Sequence, residues 1–115
     1  SRQLFAPGSA RLLPKGRRSL LAFARLLMGN ESVWRRLRVE GHTLATRNGA
    51  RDDWGLSAAR AAAVAALLSS EGHIPPYRLA VAARGGQAPL LNLPGNDPAQ
   101  ERVELVLEYV GRSPM

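Results

Sequence analysis

The stretch Leu56-Ser57-Ala58-Ala59-Arg60-Ala61-Ala62-Ala63-Val64-Ala65-Ala66-Leu67-Leu68, followed by Glu71-Gly72-His73-Ile74-Pro75-Pro76 and then Tyr77-Arg78-Leu79-Ala80-Val81-Ala82-Ala83-Arg84, decides the fold. Ala61, Val64, Ala65 and Leu68 recur at helical spacing. Ser57 is a good N-cap and Gly72 a good stop, so the spacing predicts a helix between them. Beyond Pro75-Pro76 the period changes to two, and Leu79, Val81 and Ala83 fall on one face of a strand over Tyr77 to Arg84.

Working outward, Leu37, Val39 and Gly41 alternate with Arg36, Arg38, Glu40 and His42, which predicts a half-buried strand before the helix. Upstream, Leu4 and Phe5 end a first short strand, Pro7-Gly8-Ser9 turns, and Pro14 opens a helix whose apolar stripe is Leu20, Leu21, Ala24 and Leu27. Gly29-Asn30 supplies its stop. Downstream, Arg102 to Val110 reads as a last strand with Val103, Leu105, Leu107 and Tyr109 inward. The segments Leu44 to Gly55 and Gly85 to Glu101 read as loops. The order strand, helix, strand, helix, strand, strand predicts an α/β (α+β) two-layer sandwich: a four-stranded mixed sheet with helices on one face and polar side chains on the other. All 115 residues read as one domain (1–115).

Composition narrows the function. Sixteen basic residues against nine acidic give a net charge of +7. Residues 1–51 hold 11 basic and 2 acidic side chains, and residues 52–115 hold 5 and 7. Lys15 is the one lysine among the sixteen, a bias that favours planar carboxylate or phosphate recognition. Cysteine is absent, which excludes thiol catalysis and Cys-based zinc sites. No stretch approaches the roughly 18 apolar residues of a membrane span, so the chain as given is expected to be soluble. It begins at Ser1 without a signal peptide and reads as an excised domain or processed fragment.

Catalytic signatures are missing: there is no phosphate loop, no Gly-x-Ser-x-Gly elbow and no supported Ser/His/acid set, so an enzyme is not expected. His42 and His73 are neither helically spaced nor joined by acidic ligand motifs, so neither a metal site nor a cofactor is expected. The run Arg35-Arg36…Arg38 raises nucleic acid, but its members fall on both faces of a strand and only six aromatic residues exist in all, so no nucleic-acid partner is expected.

Arg60 stands out. In the opening turn of a helix capped by Ser57, a cation would face the positive end of the dipole at a cost of roughly 0.3–1 kcal/mol. Such an Arg, with the backbone N–H groups near Ser57, suits a carboxylate or phosphate, while Asp52 or Asp53 on the same rim would complete a zwitterion site. A salt bridge from Arg60 to Asp52, Asp53 or Glu101 is the plainer alternative.

Val39-Glu40-Gly41-His42-Thr43, Leu56-Ser57-Ala58-Ala59-Arg60-Ala61, Arg78-Leu79 with Gly85 and Pro89 beyond, and Arg102-Val103-Glu104 together resemble the OmpA-like peptidoglycan-binding domain, over nearly the whole chain. Asp53-Trp54-Gly55-Leu56-Ser57 looks most like the flagellar-stator MotB branch, with secretion-system anchors close by. The resemblance implies the same β-α-β-α-β-β sandwich and a periplasmic domain of a membrane-anchored envelope protein. Its implied partner is the diaminopimelate of the peptidoglycan stem peptide, held without covalent bonds, and a homodimer is left open. The family's Arg for the carboxylate maps to Arg60, supported by Thr43 and Ser57, and Arg102 carries over from the Arg-Val-Glu word. The family's Asp for the amine is Leu44 here, and Asp53, with Glu101 beside it, is the expected replacement. The competing expectation is a degenerate domain that no longer binds peptidoglycan and serves protein interaction or dimerisation.

Overall fold

A computed structural model describes residues 4–43, 51–86, 91–92 and 102–110, with side chains from residue 54 onward in the second helix. Among these residues the order is α1 (Pro14–Met28), β1 (Trp34–His42), α2 (Arg51–Ser70), β2 (Leu79–Gly85) and β3 (Arg102–Tyr109). The fold is mixed α/β, as the periodicity predicts. The sheet of described strands has three members, in the order β2-β1-β3, rather than the expected four. Phe5 forms only an isolated antiparallel bridge to Leu12 across the Pro7-Gly8-Ser9 turn, so the first strand is not part of that sheet.

Central strand β1 is parallel to β2, with Val39 opposite Val81, and antiparallel to β3, with Val39 opposite Leu105. Leu37 and Val39 are fully buried and point at the helices, as their alternation requires. They meet Ala61, Val64, Leu67 and Leu68 of α2 and Leu20, Ala24 and Leu27 of α1 in one core. Leu79, Val103, Leu105 and Leu107 flank it, whereas Val81 and Tyr109, expected inward, are largely exposed.

The element ends differ from the sequence reading, for local reasons. Helix α2 begins at Arg51, so Ser57 lies inside it and is no N-cap. At its other end His73, at φ 63°, takes the left-handed conformation assigned to Gly72 and turns the chain so that Ile74 N–H donates to Leu68 O at 3.0 Å. Gly72 serves packing: a Cβ there would sit 2.7 Å from Ala24 Cβ, so this is where α2 meets α1. Gly29 stays in the right-handed region, and α1 is closed by Asn30, whose Nδ2 donates to Leu26 O at 2.8 Å. After Pro75-Pro76 a 3₁₀ turn over Pro76–Arg78 delays β2 to Leu79.

Trp34 extends β1 backward from Leu37 and is 1% exposed. Its indole N–H donates to Leu27 O at 3.0 Å, and the Arg78 guanidinium lies over its ring at 4.6 Å while donating to the Trp34 and Glu31 carbonyls at 2.9 and 3.0 Å. Arg78 thus ties the α1–β1 turn to the start of β2. Arg78→Ala is expected to lower stability by about 1–3 kcal/mol, measured by urea unfolding, because it removes a stacked cation and two hydrogen bonds to carbonyls.

Among the glycine positions, sheet and helix approach most closely at Gly41. A Cβ there would lie far inside van der Waals contact with the Ser57 carbonyl oxygen, so the backbones of β1 and α2 meet directly. Gly41→Ala should therefore cost about 3 kcal/mol or more in urea unfolding, as overpacking against rigid backbone does at its upper end.

Candidate functional site

The site grows from the backbone contact at Gly41. One turn of α2 places the Ser57 side chain, fully buried, at the end of β2. Its Oγ donates to Trp54 O at 3.2 Å and accepts from Gly85 N–H at 3.1 Å. Gly85 in turn accepts at its carbonyl from Thr43 N–H at 2.8 Å. It has φ 52°, the left-handed region that favours glycine, and the Trp54 ring lies against it 3.4–3.5 Å from where a Cβ would stand. Gly85 therefore joins Ser57, Thr43 and Trp54 at one end of the sheet. The pairing of β1 with β2 shifts by one residue between Gly41 and His42, leaving Arg84 as the extra residue on β2, and this sets the register at Gly85.

Thr43 is 4% exposed, and its Oγ1 has no hydrogen-bond partner among the described residues. Arg60, three residues after Ser57 and so on the same side of α2, is 5% exposed. Its Nε donates to Ser9 O at 2.8 Å and its guanidinium lies 5.1 Å from the Phe5 ring centroid. The N-terminal turn thus folds over to hold this Arg in place.

This corrects the electrostatic argument for Arg60. With α2 starting at Arg51, Arg60 is beyond the first two turns and outside the reach of the helix terminus. The N–H groups around Ser57 are likewise past the first turn, whose donors are the unsatisfied ones. What sets Arg60 apart is burial, since a buried guanidinium demands charge-matched or hydrogen-bonding partners.

The remaining expected residues do not all converge here. Arg102 points to the sheet face away from the helices, where its Nε donates to Glu104 Oε2 at 2.6 Å, and it sits opposite His42 in the register. Asp53 is in the first turn of α2, but its side chain, like Leu44 and Glu101, lies outside the described residues. The sequence reading missed Gly85 as a junction; its adjacency to Gly86 after a β-period run was the available signal.

On that outer face Glu40 and His42 are 5% and 3% exposed. Burial pushes the Glu40 carboxyl up, but hydrogen bonds and charge from Arg38 and Arg84 outweigh it and hold the group below its ordinary value. Burial, then the Arg102 charge, keeps His42 below the ordinary imidazole value against the opposing pull of Glu104 and Glu40.

The OmpA family profile matches residues 4–102. The chain belongs to the OmpA family. Among solved structures it is similar to a putative MotB-like protein from Desulfovibrio vulgaris, at 30% identity and TM-score 0.74, covering 95% of this chain and 69% of that one. It is also similar to the cell wall anchor of the T6SS from Pseudomonas aeruginosa, at 26% identity and TM-score 0.74, covering 93% of this chain and 76% of that one. The OmpA-like domain of FopA1 from Francisella tularensis shares the fold at 23% identity and TM-score 0.75, over 93% of this chain and 72% of that one. No curated protein matches the chain significantly. The resemblance read from the short sequence words is thus that of an OmpA-like, MotB-like domain.

Ser57→Ala removes a buried acceptor and leaves Gly85 N–H unpaired, and is expected to cost about 1–3 kcal/mol in urea unfolding. Gly85→Ala should cost about 1 kcal/mol or more from backbone strain alone, and it should also shift the Trp54 fluorescence because the ring rests on that residue.

Proposed function

We propose that this OmpA-like domain binds peptidoglycan non-covalently and anchors a membrane-attached envelope protein to the cell wall on the periplasmic side. The observation that carries the reading is Arg60: the Arg of the Leu-Ser-x-x-Arg-Ala word, 5% exposed, with its Nε fixed on Ser9 O and its plane resting on Phe5. A buried guanidinium whose plane is set in this way suits a carboxylate, which its planar shape matches. Recognition of the stem-peptide diaminopimelate follows, with its carboxylate on Arg60 and Thr43 and Ser57 shaping the floor.

Diaminopimelate also carries an amine, and the family's Asp for it is Leu44 here. Asp53 is the proposed replacement, with Glu101 near it in the carried-over pattern. The domain is a binding module and not an enzyme. The MotB-like neighbour and the T6SS cell wall anchor support an envelope setting of the flagellar-stator or secretion-system kind. Leu44 favours a second reading, in which the amine half of the clamp has been lost and the domain serves protein contacts.

Co-sedimentation with purified sacculi separates the two. Under the peptidoglycan reading the wild-type chain pellets with sacculi, and Arg60→Ala loses at least about tenfold in affinity, as truncating a buried charge partner does. A diaminopimelate-containing tripeptide titrated into Asp53→Ala tests the relocated amine site, where wild-type affinity would refute it. Failure of the wild-type chain to pellet favours the protein-contact reading.

A further inference from the structure

The outer face of the sheet carries a cluster that wall binding does not use. Glu40 and His42 are two apart on β1 and therefore share a face, and Glu104 of β3 lies directly across from Glu40. Two carboxylates directly opposed across a strand pair repel. Among the described residues each is nonetheless oriented by arginine through one oxygen: Glu40 Oε2 accepts from Arg38 Nε at 2.5 Å and from Arg84 at 3.5 Å, and Glu104 Oε2 accepts from Arg102 Nε at 2.6 Å. The other oxygen of each, Oε1, faces His42 Nε2, at 3.7 Å in both cases.

Those distances are too long for hydrogen bonds. The imidazole is 3% exposed, and neither ring nitrogen has a hydrogen-bond partner among the described residues. Burying unpaired nitrogens is costly, and a single hydrogen bond to one carboxylate would answer only part of the arrangement. The three candidate ligand atoms all lie within 4.8 Å of one another. That spacing suits a shared cation, since bonds near 2.0–2.2 Å from three such atoms converge on one point after small side-chain rotations.

We infer that Glu40, His42 and Glu104 form a binding site for a divalent transition-metal ion of the zinc type, clamping β1 to β3 one residue before Thr43. One imidazole and two carboxylates suit Zn²⁺ or its first-row neighbours, whereas Mg²⁺ and Ca²⁺ demand more oxygen ligands and gain nothing from imidazole. The arginines on the Oε2 atoms fix the carboxylates as outer partners fix the ligands of metal sites. Their three positive charges also oppose a dication, which places the affinity below that of a buried structural zinc site.

The test is isothermal titration of ZnCl₂ into the chelator-treated 115-residue chain, repeated with CoCl₂ while recording the visible spectrum. His73→Ala serves as the background because His73 is the only other histidine. The site predicts saturable one-to-one binding that survives His73→Ala, together with a ligand-field band for cobalt. Glu104→Gln and His42→Gln should each weaken it at least about tenfold, the scale on which disturbed metal sites lose affinity. Glu104 is part-exposed, so Glu104→Gln is expected to fold, and circular dichroism checks it. No saturable binding, binding unchanged in Glu104→Gln, or binding abolished by His73→Ala overturns the assignment. Sacculus co-sedimentation is read separately, and its outcome does not bear on this site.

Discussion

At one point, Gly41, helix α2 rests on the central strand with no side chain between them. At Gly41 the space a Cβ would need is taken by the Ser57 carbonyl, and the position of everything at this end of the sheet follows from that approach. It sets the depth at which Ser57 Oγ reaches the Gly85 N–H, and Gly85 then receives the Thr43 N–H on its carbonyl. One backbone-on-backbone contact thereby brings strands β1 and β2 and helix α2 to a common corner. Arg60, one turn further along α2, inherits its place from the same contact. Close approach at a glycine is rigid because neither backbone can give, unlike a flexible side chain that rotates aside.

Periodicity made the architecture legible. The helical stripe Ala61, Val64 and Leu68 and the alternation Leu37, Val39 and Gly41 face each other across the core, and their order forces a parallel crossover. Element ends were less legible because they depend on single residues in competition. Ser57 has the chemistry of an N-cap, but its hydroxyl is engaged by Gly85 N–H, a partner 28 residues away that local sequence does not reveal. His73 adopts the left-handed conformation beside a glycine that would take it more cheaply, because Gly72 is needed where Ala24 comes close. In both cases a tertiary contact overrides a local preference.

The candidate site residues come from the sequence by a different route. Local spacing puts Arg60 at a helix start, which is not where it lies, whereas the short words of the family pattern point to the same residue without that premise. Burial is the physical reason that survives. By contrast, the Glu40, His42 and Glu104 cluster is invisible to a search for ligand motifs along the chain, because a cross-strand pairing 64 positions apart brings Glu104 to Glu40. Only Glu40-x-His42, two apart on an alternating strand, was there to be read.

Two arginines of this fold, Arg60 and Arg78, show how the same side chain serves two ends. Each stacks on an aromatic ring and each donates to backbone carbonyl oxygen. Arg78 gives a terminal nitrogen to two carbonyls at once, on Glu31 and Trp34, so its fork is turned into the protein and its work is to hold a turn against a strand. Arg60 gives Nε to Ser9 O and rests on the Phe5 ring, which together fix the plane of its guanidinium. A plane fixed in this way suits the carboxylate contact proposed above, because bidentate recognition depends on the plane being set before a ligand arrives.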